Sequence, residues 1–297
     1  MKYLILVGIG GSNLGAKAVY EALRLADPLA QGKPVILFAD TISPVMRERI
    51  VVELQHAKKE DITLNYVSKS GTTLESKENF EFFKEYAGKI VNTYQDFEFD
   101  KTIGGRFSVF TPVGTYPLEM AGVDVKAFLQ GRDEAVQTDA EAIFKYMQQG
   151  CVIYNSFFFN PELEDLGKWF RQLMAESLGK DGKGILPIVS VGSTDLHSVA
   201  QMYFGGPKNI LTEFIYASQG SREMDAIYGG TKTAYRNHDM PFLEYPLGEI
   251  SARSLGRYMQ TKMLTIIALA KLMGVNAFDQ PDVEHYKAET RKLLTSE

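Results

Sequence analysis

Cysteine is nearly absent: Cys151 is the single one in 297 residues. That excludes an internal disulfide and fits a reducing compartment, so the cytoplasm is the expected location. Cys151 lies between Gly150 and Val152 in an apolar run, which reads as a buried core thiol rather than a nucleophile. No basic block offsets the formal net charge of −5, so general nucleic-acid binding is not expected. A local basic pocket for a phosphate stays open. Long hydrophobic runs are missing too. The apolar start, residues 1–7, enters a glycine loop at once, too short for a signal peptide's core and cleavage site or for a bilayer span. His56, His238 and His285 have no ligand spacing with Cys or acids, so no metal site is expected. Neither a low-complexity linker nor a close repeat interrupts the chain.

What is present is an ordinary globular profile, 45% hydrophobic and 23% charged, over a length that can bury one large core or two smaller ones. Short apolar runs alternate with longer segments of helical period, the pattern of an α/β protein with parallel strands. Strands are expected at 3–7, 35–38, 62–67 and 106–111, with helices over 14–25, 44–54 and from the loop at 68–73 through Phe83. Residues 123–158 read as helices and 163–178 as another. A second series then begins with a strand at 185–191, a helix at 194–202, and strands at 210–216 and 242–245. A long helix over 251–272 and a last one starting at Pro281 complete the reading. The expected organisation is a first subdomain over 1–115, connecting helices over 116–180 and a second subdomain over 181–297.

Two loops carry the chemistry. Gly8-Ile9-Gly10-Gly11-Ser12 follows a buried strand and opens a helix, where glycines permit a tight turn and free N–H groups favour an anion. A dinucleotide fold shares that architecture but wants a third glycine where this chain has Asn13. Asp40, at the end of the second strand, suits a ribose-binding acid or a turn and capping role equally well. A nucleotide P-loop is not matched. The second loop, Ser68-Lys69-Ser70-Gly71-Thr72-Thr73, sets four hydroxyls, a cation and a glycine at a strand-to-helix junction. Any one of them is an ordinary turn or cap residue; the set together suits the oxygens of a phosphate monoester.

These loops together resemble the sugar isomerase domain, a parallel α/β fold that binds phosphosugars. Four more stretches resemble the glucose-6-phosphate isomerase family in order: Gly104 to Phe110, Gln172 to Lys180, Thr194 to Ser198, and Phe278 to Lys287. The resemblance runs from Gly8 to Lys287. It implies two sugar isomerase subdomains, each a parallel sheet between helices, and interconversion of glucose 6-phosphate and fructose 6-phosphate. No cofactor is implied. It assigns Gly11 and Ser12 to the sugar, and Ser68, Lys69, Ser70 and Thr73 to the phosphate. It also implies a homodimer in which His197 reaches the neighbouring subunit's site, and gives Lys287 to ring opening and Gln280 to substrate contact.

The residue types fit such a reaction. Moving a proton from C2 to C1 through a cis-enediol needs one carboxylate on one face and no metal. Glu176 is the candidate, with Gln172 four residues earlier on the same helical face. General acid–base catalysis of this kind contributes about 10²–10⁴-fold. Arg106 offers a permanent cation for the enediolate oxygen, and His197 an imidazole that titrates near working pH. Lys287 falls seven residues after Gln280, two turns along a helix begun at Pro281, so both are expected to face one cleft. Without the resemblance each of these has a plainer reading: an exposed helix acid, a structural ion pair, a surface histidine, a solvated lysine. Against the family pattern, the chain starts directly at the first strand, where the family has a helical segment. Gly71 replaces an aromatic residue and Asp282 a glycine. Two other classes remain to be weighed: a phosphosugar-binding regulator without chemistry, and a dinucleotide-dependent oxidoreductase.

Overall fold

The computed structural model describes residues 2–27, 33–218 and 221–295. Its first half runs β1 (Tyr3–Val7), α1 (Leu14–Ala26), β2 (Val35–Ala39), α2 (Pro44–Leu54), β3 (Ile62–Tyr66), α3 (Leu74–Phe83), β4 (Lys89–Asn92) and α4 (Thr93–Asp96). Three helices follow: α5 (Pro112–Met120), α6 (Val125–Asp133) and α7 (Ala140–Gln148). The second half runs β5 (Ile153–Phe158), α8 (Glu164–Leu178), β6 (Leu186–Val191), α9 (Ala200–Gly205), β7 (Ile210–Ala217), α10 (Arg222–Asn237), β8 (Phe242–Gly248) and α11 (Ala252–Met273). A terminal helix α12 (Glu284–Thr295) ends the described chain.

Both sheets are four-stranded, parallel and identical in order, β2-β1-β3-β4 and β6-β5-β7-β8. The first crossover goes one way and the next the other, so each sheet has a switch point beside its first strand in sequence. Ligands of open α/β sheets bind at such points. Strand alternation divides the core into three regions. Leu4 and Leu6 of β1 join Tyr154 and Phe158 of β5 in one large cluster that also takes in Trp169, Phe170, Leu255 and Ile266. Ile5 and Val7 face a smaller cluster with Leu54, Leu64 and Phe83, while Phe157 faces another with Phe214 and Tyr235. One continuous core therefore joins the two halves, and α1 packs against α8 within it. Gly15, on the buried side of α1, makes room for Val109, whose Cγ2 would lie 2.7 Å from a Cβ there.

Three local expectations are corrected. Residues 106–111 form no strand: Gly105–Phe107 is a 3-10 turn, and the fourth strand is Lys89–Asn92. Hydroxyls break the strand pattern there, with Ser108 Oγ donating to Gly105 O at 2.7 Å and Thr111 Oγ1 to Ser108 O at 2.7 Å. Residues 123–158 are not all helical, because Ile153–Phe158 is the central strand β5. Its sequence, Ile-Tyr-Asn-Ser-Phe-Phe, is buried on both faces with the polar pair Asn155 and Ser156 in the middle, so it shows neither the alternation of a half-buried strand nor a continuous apolar run. The stretch 194–202 is split into a 3-10 turn, Thr194–Leu196, and the short α9. The Asp195 carboxylate accounts for the split by accepting from Val191 N at 2.7 Å and Ser198 Oγ at 2.8 Å.

Candidate active site

Three segments distant in sequence converge at the switch point of the first sheet: the turn Gly10–Ser12, the turn Gly105–Phe107 and the C-terminal end of α8. Gly11 has no room for a side chain. A Cβ there would meet the backbone of Gly105 and Arg106, with Gly105 Cα at only 2.7 Å. The glycine expected to let backbone approach a ligand is thus needed for the approach of the Arg106 turn. Gly10 has φ +60, and a Cβ on it would lie 2.9 Å from Gln172 Nε2. The glycine loop therefore fixes the placement of two side chains, Arg106 and Gln172.

Glu176 sits between them. Gln172 Nε2 donates to Glu176 Oε1 at 2.9 Å, and Arg106 Nη1 donates to Oε2 at 3.2 Å. The carboxylate side chain keeps 29% of its exposure, whereas the guanidinium side chain keeps 3%. All five N–H donors of Arg106 are engaged. Nε donates to Ser177 Oγ at 2.9 Å, and Nη1 donates also to Gln280 Oε1 at 2.7 Å. Nη2 donates to the carbonyls of Ala277 at 2.6 Å and Asp279 at 2.9 Å. Burial lowers the Arg106 pKa from the usual guanidinium value, and Glu176 opposes that shift. The group remains a cation because it starts so high. Gln172 Oε1 is buried without a hydrogen-bond partner.

The hydroxyl-rich loop lies at the start of α3. Ser68 is buried and its Oγ accepts from Gly71 N at 3.2 Å, while Lys69, Ser70 and Thr72 are exposed. Gly71 has φ +67, and Ser70 Oγ and Thr72 Oγ1 lie 2.8 Å apart. Thr73, at the N-cap of α3, makes no side-chain cap, so the first amides of that helix stay available. Lys69 Nζ donates to Thr102 O at 3.1 Å, tying this loop to the turn after α4 that leads into Gly104 and Arg106.

Other expected residues lie elsewhere. His197 is exposed in a surface hollow of about 340 Å³ beside Leu196, Gln201 and Phe204. Lys287 does not face one cleft with Gln280. A 3-10 turn, Pro281–Val283, intervenes, so α12 starts only at Glu284 and the seven-residue spacing is not two turns of one helix. Gln280 reaches Arg106, whereas Lys287 pairs with Glu284 at 3.2 Å on a helix with no buried residue. Asp40 caps nothing; it accepts from Asn13 Nδ2 at 3.0 Å and Lys17 Nζ at 3.4 Å, pinning the start of α1. Ser177, Lys180 and the carbonyls of Ala277 and Asp279 were not singled out from sequence. Only the adjacency of Ser177 and Lys180 to Glu176 marked the two side chains, and nothing marked the carbonyls. Among the described residues no group of three or more His, Cys, Asp or Glu side chains converges as metal ligands do, and no helix is long and apolar enough to cross a membrane.

No family model matches the chain. It is 30% identical over 360 aligned residues to a glucose-6-phosphate isomerase of Symbiobacterium thermophilum, covering 98% of this chain and 80% of the relative. Among solved structures, a hypothetical protein from Thermus thermophilus superposes with a TM-score of 0.82 at 25% identity, covering 99% of this chain and 84% of that one. A glucose-6-phosphate isomerase from Chlamydia trachomatis superposes with a TM-score of 0.76 at 21% identity, covering 99% and 70%, and so shares the fold.

Proposed function

The chain belongs to the glucose-6-phosphate isomerase family, and we infer that it interconverts glucose 6-phosphate and fructose 6-phosphate with Glu176 as the group that carries the proton. The observation that supports this most is the state of the Glu176 carboxylate: partly open to solvent, yet held at both oxygens by Arg106 and Gln172. Each carboxylate oxygen has two lone pairs, so these bonds orient the group and leave it able to accept a proton. A base fixed in this way takes the proton from C2 of the open-chain aldose and returns it to C1. The proton on O2 passes to O1 in the same conversion, so the enediol has the same composition as both sugars.

Arg106 serves this reaction by its charge more than by a free donor. Every N–H is already satisfied, and only Nη1 has partners that are both side chains, Glu176 and Gln280. A developing enediolate oxygen shares that nitrogen or displaces Gln280, in surroundings where a buried cation is weakly screened. Gln172 belongs with the sugar-binding residues and orients the Glu176 carboxylate through Nε2. Gly11 and Ser12 lie beside the sugar, and Ser68, Lys69, Ser70 and Thr73 take the phosphate with the uncapped start of α3 behind them. Ring opening falls to His197 and Lys287. His197 acts from a second copy of the chain, since within one chain it lies on the surface away from Glu176. Lys287 has the same requirement to be brought in, through α12. The expected assembly is a homodimer in the cytoplasm, working in glycolysis and gluconeogenesis.

A coupled assay with the wild type and Glu176→Gln tests the reading. The variant keeps the shape and one oxygen to accept from Arg106, while its NH2 is matched only if the Gln172 amide turns to present its oxygen; kcat is expected to fall by about 10²–10⁴-fold or more with binding retained. Phosphosugar binding by the wild type without turnover would overturn catalysis and leave a regulator.

A further inference from the structure

Gln280, Ala277 and Asp279 together take three of the five Arg106 donors, yet they lie on a loop that has little else to hold it. The loop follows the end of α11 and is bordered on its outer side by an open cavity of about 630 Å³, lined by Lys180, Lys183, Asn276, Asp279 and Pro281 among others. Burial of Ala277 and the contact of the Phe278 and Phe107 rings, centroids 5.2 Å apart, give it some packing. Phe278 is nonetheless 59% exposed. The remaining anchor is one ammonium. Lys180 is 7% exposed and two residues past the end of α8. Its Nζ donates to Asn276 O, to Ser177 O at 3.3 Å and to the Asp279 carboxylate at 2.8 Å. Three donors meet three acceptors, so the group is fully satisfied. Asn276 Nδ2 donates to the other Asp279 oxygen at 2.8 Å, and Asn276 Oδ1 accepts from Phe278 N at 3.0 Å, which turns the loop into a closed unit around Lys180.

We propose that Lys180 is a positioning residue of the isomerase: by fastening the 276–280 loop to the end of α8, it holds Gln280 and two carbonyls on Arg106 and so sets how Arg106 meets Glu176. This rests on the isomerase reading of Glu176. Lys180 touches neither the expected phosphate loop nor Glu176, so its effect is specific in kind. Loss of the anchor lets Gln280 and the Arg106 guanidinium move by about an ångström, which reduces turnover without loosening the phosphate.

The test uses Lys180→Met, Lys180→Arg and Asp279→Asn in the full chain. In Lys180→Met, kcat is expected to fall about 10–100-fold, while KM and inhibition by inorganic phosphate stay as in the wild type. Amide exchange over residues 276–280 speeds up in parallel. Lys180→Arg, which keeps the charge and two or more donors, recovers much of the lost rate. The double variant Lys180→Met/Gln280→Ala falls no further than the worse single one, because both act through the same contact. Should Lys180→Met fail to fold, Asp279→Asn, half-exposed and removing the same ion pair, carries the test with a smaller loss in kcat and the same faster exchange. Unchanged kcat and unchanged loop exchange would overturn the proposal, as would a loss carried equally by KM and phosphate inhibition. If the wild type itself lacks isomerase activity, the reading of Glu176 fails, and the exchange measurement still decides whether Lys180 anchors the loop.

Discussion

Replacing Gly11 by alanine is the sharpest probe of how the site is built, because the perturbation is one methyl group aimed at backbone. Its Cβ would lie 2.7 Å from Gly105 Cα, and nearer still to the next two backbone atoms. Carbon atoms settle at about 3.5 Å or more, so the two turns must separate by at least about 0.8 Å. Gly11 does not have positive φ, so alanine is acceptable to its own backbone and the strain comes wholly from this contact. Neither side yields as a flexible side chain would. Gly11 is tied through Ser12 N to Ile9 O at 3.3 Å, and the Arg106 turn is closed by Ser108 N to Gly105 O at 3.1 Å. Overpacking of this kind costs about 1–3 kcal/mol of stability. Its larger effect is on catalysis, since an ångström of displacement at Arg106 costs about 10²-fold. Gly11→Ala is therefore expected to fold with a lowered melting temperature and to lose about two orders of magnitude in kcat. Thermal unfolding by circular dichroism and the coupled isomerase assay measure the two. Full kcat in Gly11→Ala would refute the reasoning, for it would mean that the spacing of these turns does not set the geometry at Glu176.

Two further outcomes follow from the second half. Lys262 and Glu213 form a fully buried ion pair, with the rings of Tyr245, Tyr258 and Phe170 within 5.2, 5.4 and 5.5 Å of the ammonium. Lys262→Met leaves the Glu213 charge unpaired and is expected to cost about 3–5 kcal/mol in denaturant melts, most of it recovered in Lys262→Met/Glu213→Leu. If the double variant is no more stable than the single, the unpaired charge is not the cause. Tyr235, 1% exposed, has its pKa pushed by burial from 10.0 up to about 12. A raised pKa contributes stability that is complete below pH 10 and declines as pH rises towards 12, because the unfolded chain releases the proton first. Tyr235→Phe should therefore lose less stability than the wild type between pH 10 and pH 12, read from melts across that window; parallel losses would contradict the assignment.

The sequence made the strand–loop–helix junctions legible because each is local. The runs at β1, β2 and β3 end in glycine or hydroxyl residues followed by helical spacing, and the four-residue interval from Gln172 to Glu176 became a 2.9 Å hydrogen bond. What was not legible depends on contacts across long stretches of chain. Arg-Phe-Ser-Val-Phe at 106–110 has strand-forming residues, and its helical turn is fixed by partners 70 and more than 170 residues away. The acceptors of Arg106 Nη2 are carbonyls, which no side-chain pattern reveals. The spacing of Gln280 and Lys287 suggests a shared cleft if a helix starts at Pro281, and the 3-10 turn Pro281–Val283 separates one from the other.

The two sheets share one strand order, so topology alone offers two equivalent crevices; side chains decide why only the first is equipped. After β1 the chain turns through glycines that leave backbone beside Arg106 and Gln172. After β5 the corresponding position holds Asn160, 2% exposed, whose Nδ2 donates to Ala217 O at 2.9 Å and whose Oδ1 accepts from Ala217 N at 2.8 Å. That pair of bonds links the ends of β5 and β7, closing the crevice. The third strands differ in the same sense. α3 begins with an uncapped Thr73 behind exposed hydroxyls and has one acid, Glu75, in its first turn, whereas α10 begins with Ser221 capping Met224 N and has two, Glu223 and Asp225. Asp225 already accepts from Tyr216 OH at 2.5 Å and from Ser218 Oγ at 3.2 Å. A helix N-terminus whose cap is filled and whose first turn holds two carboxylates has little left to offer a phosphate. The second half thus uses the architecture of a ligand site to bury its own polar groups, and what it supplies to the first site is α8, with Gln172, Glu176, Ser177 and the adjoining Lys180, and the loop after α11, with Gln280 and the carbonyls of Ala277 and Asp279.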